Sequence, residues 1–353
     1  MLGTHKLAVD THSVVYDLLK PFADEEFWEF STFDVTPQSI CVVGRRQFVD
    51  NLDKVRSIAN DCYLVFDNAA EGSQTLRDQL LALRVQPLVD QRKILLLSGG
   101  DLDQSYHYLL HDHFFNVILG YDYNIEQMSR INEIYSNNTK PYKFLFLNGR
   151  ARPHRTYLWN KFQQLGVLEQ SLCTMLEGEY IKQLPPQYEF EQFQNNQITV
   201  NSTRLIKHDI FNNTWGEIYA KADAYVDSYF SVVTETVVDY PYSFRTEKIA
   251  KPLLLGHPWI AVSNAGFYQD MHNLGFQTFG HLIDESFDSI ENTQDRLNRI
   301  ADVVADLCQQ DLASFLTECH SICKYNQLHL QEYRSRIRRE FPDHFLKYIN
   351  ERP

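Results

Sequence analysis

The sequence predicts an α/β protein of two Rossmann-like domains facing each other across a cleft, followed by a helical C-terminal tail. Three observations predict it. Short continuous apolar runs end in turn residues and alternate with polar or helical stretches, as the strands of a parallel sheet covered on both faces do. The pattern stops at the polar, proline-bearing stretch Ser136-Asn137-Asn138-Thr139-Lys140-Pro141 and then begins again. The region from Gln294 to Lys347 has helical periodicity almost throughout. At 353 residues a single core is improbable and two domains are the natural division. The expected bounds are 1–140 for an N-terminal α/β domain, 141–325 for a second α/β domain and 326–353 for the helical tail.

In the first half, Lys6–Val9 is a strand ending in Asp10-Thr11-His12, and Ser39–Val43 is a second, followed by Gly44-Arg45-Arg46. Cys62–Phe66 stops at Asp67-Asn68, and Gln74–Leu83 has helical spacing. Lys93–Leu97 ends in Ser98-Gly99-Gly100-Asp101, and the apolar run Phe115–Leu119 reads as a further strand closed by Gly120. In the second half Lys143–Leu147 is a strand, Asn148–His154 a polar turn, and Arg155–Leu165 a helix ending at Gly166. Glu217–Val226 reads as helix, Tyr229–Thr234 as strand, Thr246–Leu255 as helix and Pro258–Val262 as strand, with Pro342 and Pro353 as late breakers of the tail.

Composition narrows the function classes. With 44% hydrophobic and 22% charged residues the chain is an ordinary globular one. A net charge of -13 opposes broad binding to nucleic acid or anionic membrane, and leaves room only for small basic pockets. No apolar run is long enough to span a bilayer, and Met1–Lys6 lacks the apolar core of a signal peptide. The six cysteines have irregular spacing, and the Cys319–Cys323 pair has no second pair to complete a metal site, so buried thiols in a reducing cytoplasm are expected. The basic cluster Arg334, Arg336, Arg338, Arg339 is expected to pair with acidic neighbours or pack back across the first domain.

Ligands of α/β sheets bind at the carboxyl ends of the strands, where helix N-termini present free N–H groups. One such segment is Asn148-Gly149-Arg150-Ala151-Arg152-Pro153-His154-Arg155. Cations at a helix N-terminus oppose the dipole, so Arg150, Arg152 and Arg155 need a reason to gather there, and a pyrophosphate supplies one. The other runs from Ser231 through Glu235 to Phe244-Arg245-Thr246-Glu247-Lys248. Thr246 is a helix cap, the carboxylates of Glu235 and Glu247 can accept hydroxyls of a ribose or sugar, and Arg245 or Lys248 can neutralise a diphosphate. Taken singly, Glu247 and Lys248 are ordinary first-turn residues of a solvated helix face.

Glu235, the Thr246-Glu247-Lys248 triplet and Leu253-Leu254-Leu255-Gly256-His257-Pro258-Trp259-Ile260 together resemble the donor-binding motif of the fucosyltransferase family. The resemblance implies the GT-B fold and an inverting, metal-independent transfer from a nucleotide-diphosphate sugar, with a GDP-sugar favoured. It implies that Glu235 and Glu247 hold the sugar or ribose and Lys248 the phosphates, with Arg150 or Arg152 as the upstream phosphate arginine. Thr236-Val237 stands where the family has Asn-Ser and the spacer to Thr246 is longer, so the fold and donor site carry over and fucose itself does not. The donor is a co-substrate, and no cofactor is expected. The acceptor, whether glycan, protein or small molecule, is not legible.

An inverting transfer needs a base to deprotonate the acceptor hydroxyl. Strand-end groups of the first half are the candidates: Asp101 first, then Asp67 and His12, with Asp10, Glu71 and Asp103 behind them. Two other readings stay open. Asp101-Leu102-Asp103 is the Asp-x-Asp that holds a divalent metal in GT-A glycosyltransferases. A non-catalytic nucleotide-sugar-binding protein would need the same phosphate clamps. Sugar transfer is expected to persist in excess chelator; its abolition by EDTA and restoration by Mn²⁺ would favour the Asp101/Asp103 reading.

Overall fold

The computed structural model describes residues 6–9, 13–22, 28–29, 39–44, 50–58, 61–70, 94–100, 107–137, 139–176, 178–182, 184–188, 197–200, 203–206, 219–240 and 242–350. Asp10, His12, Glu71, Asp101, Asp103 and the helical run Gln74–Leu83 lie outside the described residues. The protein is α/β, with parallel sheets and a long C-terminal helix. It divides into two compact units, residues 1–113 with 334–353, and residues 114–333.

The first unit is built on a parallel sheet of β1 (Leu7–Ala8), β2 (Trp28–Glu29), β3 (Ile40–Gly44), β4 (Tyr63–Asn68), β5 (Ile94–Ser98) and β6 (Tyr108–Leu110), in the order β2-β1-β3-β4-β5-β6. The continuous apolar runs form strands because both faces are covered. Leu7, Ile40, Val42, Tyr63, Val65, Leu95 and Leu97 face α1 (Val14–Leu19). Cys41, Val43, Leu64, Phe66 and Leu96 face Val55 of α2 (Leu52–Ile58). Alternation along each strand separates the two layers. Phe341, Phe345 and Ile349 complete the first layer, so the end of the tail is core and not appendage. Arg338 pairs with Asp17 at 2.7 Å and Arg339 with Glu340 at 3.3 Å, as expected of the basic cluster.

The second unit begins in α3 (His113–Val117), a helix where the apolar run Phe115–Leu119 predicts a strand; a 3-10 turn, Ile118–Gly120, continues it. Phe114, Phe115, Ile118 and Leu119 are all buried, a spacing of one face of a helix. A short unbroken apolar run cannot tell the two apart. α4 (Asp122–Met128) and α5 (Ile131–Ser136) follow. Asn124 Oδ1 accepts from the backbone N–H of Ala220 at 3.0 Å and Gln127 Oε1 from that of Ala222 at 2.9 Å. Those bonds place residues 114–140 with the second sheet, upstream of the division at 140 that the proline-bearing stretch suggests. They also hold the backbone of Tyr219–Lys221 out of a helix, so in the described part of the helix expected over Glu217–Val226, residues 219–226, only Asp223–Val226 is helical.

The second sheet is parallel, in the order β12-β11-β7-β8: β7 is Tyr142–Asn148, β8 Ser171–Met175, β11 Ser228–Thr234 and β12 Trp259–Val262. β9 (Gln197–Val200) and β10 (Thr203–Ile206) form a separate antiparallel pair. α6 (Pro153–Gln164), α7 (Asp223–Val226), α8 (Glu247–Leu255), α9 (Phe267–Asn273) and α10 (Thr293–Leu307) lie between or after these strands. Phe144, Phe230 and Phe162 form an aromatic centre, with the first two rings stacked at 5.5 Å.

α11 runs from Leu312 to Asn350, contributing to the second unit as far as Tyr333 and to the first from Arg334. Pro342 lies inside it and breaks nothing, contrary to the sequence expectation. An interior proline costs about 3 kcal/mol in helix stability, and burial of the adjacent Phe341 and of Phe345 offsets this. The six cysteines are buried and make no disulfide. Among the described residues no helix is long and apolar enough to cross a membrane.

Phe345, 1% exposed, tests the role of the tail. Phe345→Ala is expected to lower stability by about 3–5 kcal/mol in urea denaturation, whereas exposed Arg339→Ala should change it by no more than about 0.5 kcal/mol.

Candidate functional site

Strand order reverses between β7 and β11: the chain leaves β7 for β8 on one side, then returns to β11 on the other. Loops diverge at such a point and leave a crevice at the carboxyl ends. Here the two strand ends are tied together. Thr234 Oγ1 donates to Asn148 Oδ1 at 2.6 Å, and Thr174 at the end of β8 donates to the Asn148 carbonyl and accepts from its N–H.

Both sequence-predicted segments leave from this knot. α6 starts at Pro153 with Arg152 in the cap position, extended and with no side-chain cap bond. Arg155 is 3% exposed, and its guanidinium donates to the carbonyls of Arg150 and Thr234, both at 3.1 Å, and of Glu235 at 3.4 Å. It staples the loop after β7 to the loop after β11. Burial first, and then Arg152, bring its pKa down to about 10. His154 Nε2 donates to the Glu235 carbonyl at 3.1 Å. Burial, then the Arg155 charge, push this imidazole down to about 3, so it is neutral. Arg150 is exposed and Arg152 half-buried, and neither makes an ion pair among the described residues.

Glu235 is fully buried. Its Oε1 accepts from the Thr246 N–H at 3.2 Å and its Oε2 from the Thr246 hydroxyl at 2.5 Å. Thr246 in turn caps α8, accepting from the Lys248 N–H at 3.2 Å. The sequence marks Thr246 as a cap, and it is one; the carboxylate beneath it is the added support. Burial raises the Glu235 pKa, opposed by Lys248 and the Thr246 bonds. Lys248 Nζ forms an ion pair with Glu247 and lies 3.3 Å from the hydroxyls of Thr236 and Thr246. Burial lifts Glu247, but Lys248 and Lys251 outweigh it and hold the carboxyl below its ordinary value. Arg245 is buried beside this turn. Lys248 and Arg152 both act on the charge of His154, while Arg150, Glu235 and Glu247 act on that of Arg155. Arg150, Arg152, Glu235, Glu247 and Lys248 thus lie within electrostatic reach of His154 or Arg155.

The segment downstream of the triplet fixes the fold. α8 ends at Gly256, at φ 67°, where the His257 N–H returns to the Pro252 carbonyl at 2.9 Å. His257 is 1% exposed; its Nε2 donates to the Ser228 carbonyl at 3.0 Å and its Nδ1 accepts from the Ser231 hydroxyl at 2.9 Å. Sequence reasoning missed Arg296. From α10 it donates to the carbonyls of Ser263, Ile290 and Glu291, and to that of Val238, joining the loops after β11 and β12. An arginine on an amphipathic helix carries no sequence signal for that role.

In the first unit, Asp67 ends β4 with Oδ2 accepting from Ser13 Oγ at 3.1 Å and Oδ1 from the Ala69 N–H at 3.3 Å. Burial raises its pKa against those two bonds. His12 and Asp101 lie outside the described residues. No group of three or more His, Cys, Asp or Glu side chains able to hold a metal occurs among the described residues. No family model, curated protein or solved structure matches this chain, so the functional reading rests on its own residues and geometry.

The buried imidazoles predict an acid-side stability slope. Folded His154 and His257 titrate near 3, below the ordinary 6.5 of the unfolded chain. Their contribution is therefore complete above pH 6.5 and is lost as pH falls toward 3, because the unfolded chain takes up protons first. Urea midpoints measured from pH 7 to pH 4 should fall, and His257→Gln should reduce the slope. A slope unchanged by that substitution would exclude His257 as a source.

Proposed function

We propose that the chain is a glycosyltransferase of the GT-B type, moving a sugar from a nucleotide-diphosphate sugar, a GDP-sugar by preference, to a hydroxyl acceptor with inversion and without a metal. The single observation that carries this reading is the cluster at the carboxyl edge of the second sheet. Arg150 and Arg152 follow the end of β7, and Lys248 lies in the first turn of α8 after β11, the two strands that flank the strand-order reversal. Cations gathered at helix starts oppose the dipole, and a bound diphosphate resolves the conflict. Arg155, engaged with three carbonyls, holds the loop that presents Arg150 and Arg152.

In an inverting displacement the acceptor oxygen attacks the anomeric carbon opposite the departing diphosphate. The reaction asks for charge neutralisation at the leaving group and a base at the acceptor. Lys248 and the two arginines meet the first demand. Among the described residues of the first unit, Asp67 is the candidate for the second: the Ser13 hydroxyl and the Ala69 N–H orient its carboxylate. Glu247, held ionised by Lys248, is placed to accept a ribose or sugar hydroxyl.

Lys248→Ala and Arg150→Ala should each weaken GDP-sugar binding by about 1.5–3 kcal/mol, the range for hydrogen bonds to charged groups. Calorimetry on the folded variants checks this, and unchanged affinity in both would refute the donor-site assignment. Nucleotide release from GDP-, UDP-, TDP- and CMP-sugars then separates an enzyme from a binding protein, since a binding protein retains the donor without turnover.

A further inference from the structure

β8 is the outer strand of the second sheet, in the order β12-β11-β7-β8. Cys173 lies in it and is fully buried. Past the strand the chain turns back, and Met175 and Lys182 exchange both backbone hydrogen bonds, at 2.9 and 2.8 Å, as an antiparallel bridge. Facing residues of such a bridge share a side, and alternation puts Cys173, two positions before Met175, on that side too. The Lys182 side chain spans this diagonal, and its Nζ lies 3.1 Å from Cys173 Sγ. Lys182 is exposed, so the sulfur is one flexible side chain away from solvent. Exposed side chains change rotamer in picoseconds to nanoseconds, which gives a small neutral oxidant its access. The turn they close lies against a loop of the candidate site. The Leu176 N–H donates to the Gly149 carbonyl at 2.9 Å, and a Cβ on Gly178, at φ 94°, would come within 2.6 Å of Ala151 Cβ. Its neighbour is therefore the loop that carries Arg150 and Arg152.

We propose that Cys173 and Lys182 are an oxidation-sensitive pair, joined by a sulfur–nitrogen bond when a peroxide reaches the sulfur. This chemistry holds whether or not the chain transfers a sugar. In the first step the sulfur attacks one oxygen of hydrogen peroxide and the O–O bond breaks. The thiol becomes a sulfenic acid, oxidised by two electrons, and the second oxygen leaves as water. In the second step the lone pair of the Lys182 amine attacks the sulfenyl sulfur. The S–N bond forms, the S–O bond breaks, and the hydroxyl departs with an amine proton as water. One thiol, one amine and one peroxide thus give a sulfenamide and two waters. A dithiol reductant reverses the step, returning the amine and the Cys173 thiol while it is oxidised to its own disulfide. The bond ties the turn to β8 and fixes the chain that lies against the loop of Arg150 and Arg152. Lys143 also reaches a cysteine, Cys308, but donates to its backbone carbonyl at 2.5 Å. Burial pushes that thiol up to about 12, so it stays protonated and reacts slowly.

The test treats the reduced full chain with hydrogen peroxide at mildly alkaline pH, where more lysine is the neutral amine. Digestion with chymotrypsin in the absence of reductant, followed by mass spectrometry, then maps the products. One peptide pair is expected to link Cys173 to Lys182, lighter by two hydrogens than the sum of its members and separated again by dithiothreitol. Lys182→Arg keeps the positive charge at an exposed position and removes the attacking amine. It should give no linked pair, and its oxidised Cys173 should instead be trapped by dimedone as the sulfenic acid. Closing a loop restricts the unfolded chain, so the oxidised protein should melt higher than the reduced one, and Lys182→Arg should lose that difference. Recovery of Cys173 as a free thiol overturns the proposal, as does a Cys173 that carries only oxygen while Lys182 runs in an unlinked peptide. A link between Cys308 and Lys143 with none at Cys173, or a linked Cys173 that survives in Lys182→Arg, overturns it as well.

Discussion

The carboxyl edge of the second sheet depends on Glu235. Its N–H continues the sheet by donating to the Val262 carbonyl at 3.0 Å, its carbonyl receives His154 and Arg155, and its carboxylate receives both donors of Thr246. One residue thus links the loop after β7, the strand β11 and the start of α8. A carboxylate taken fully out of water is costly unless its lone pairs are answered, and truncation leaves its partners unanswered as well. The bonds it accepts turn that cost into geometry. They fix where the helix begins, and hence where Lys248 and Glu247 project.

This hub explains how much of the site was legible in the sequence. Thr246 could be read as a cap because a hydroxyl ahead of an apolar helical pattern has few other uses. β7, β11 and α8 were legible because their apolar runs are bounded by turn residues and match the period of the element they form. The roles of Glu235 and Arg155 were not legible. The resemblance gives Glu235 a ligand hydroxyl to bind, whereas both of its oxygens reach Thr246 eleven positions along the chain. Three arginines in one loop look alike as letters, yet Arg155 is buried under backbone carbonyls while Arg150 is open to solvent. Long-range burial, which a local pattern does not encode, decides between a staple and a ligand arm. The same limit hid the helix at His113–Val117, where a short unbroken apolar run fits a strand as well as one face of a helix.

Each sheet reverses its strand order once, between β1 and β3 in the first unit and between β7 and β11 in the second. The polar residues gather accordingly. Ser13, Asp67 and Asn68 stand at the carboxyl edge of the first sheet, and Asn148, Thr234 and Glu235 at that of the second. The two edges differ in chemistry. The second is cationic and heavily cross-bonded; the first offers an oriented carboxylate and an unsatisfied amide.

The long helix α11 has a consequence for how the chain is made. Phe341, Phe345 and Ile349 belong to the core layer of the sheet that begins at Leu7. The strands nearest the start of the chain therefore wait for residues synthesised more than three hundred positions later, while the unit between them has all its own strands beforehand. On a ribosome, where domains fold largely as they emerge, the inner unit is the one able to close first. The outer unit lacks part of this core layer, alongside α1, until α11 is complete, and in that interval its apolar residues are exposed to aggregation and chaperone capture.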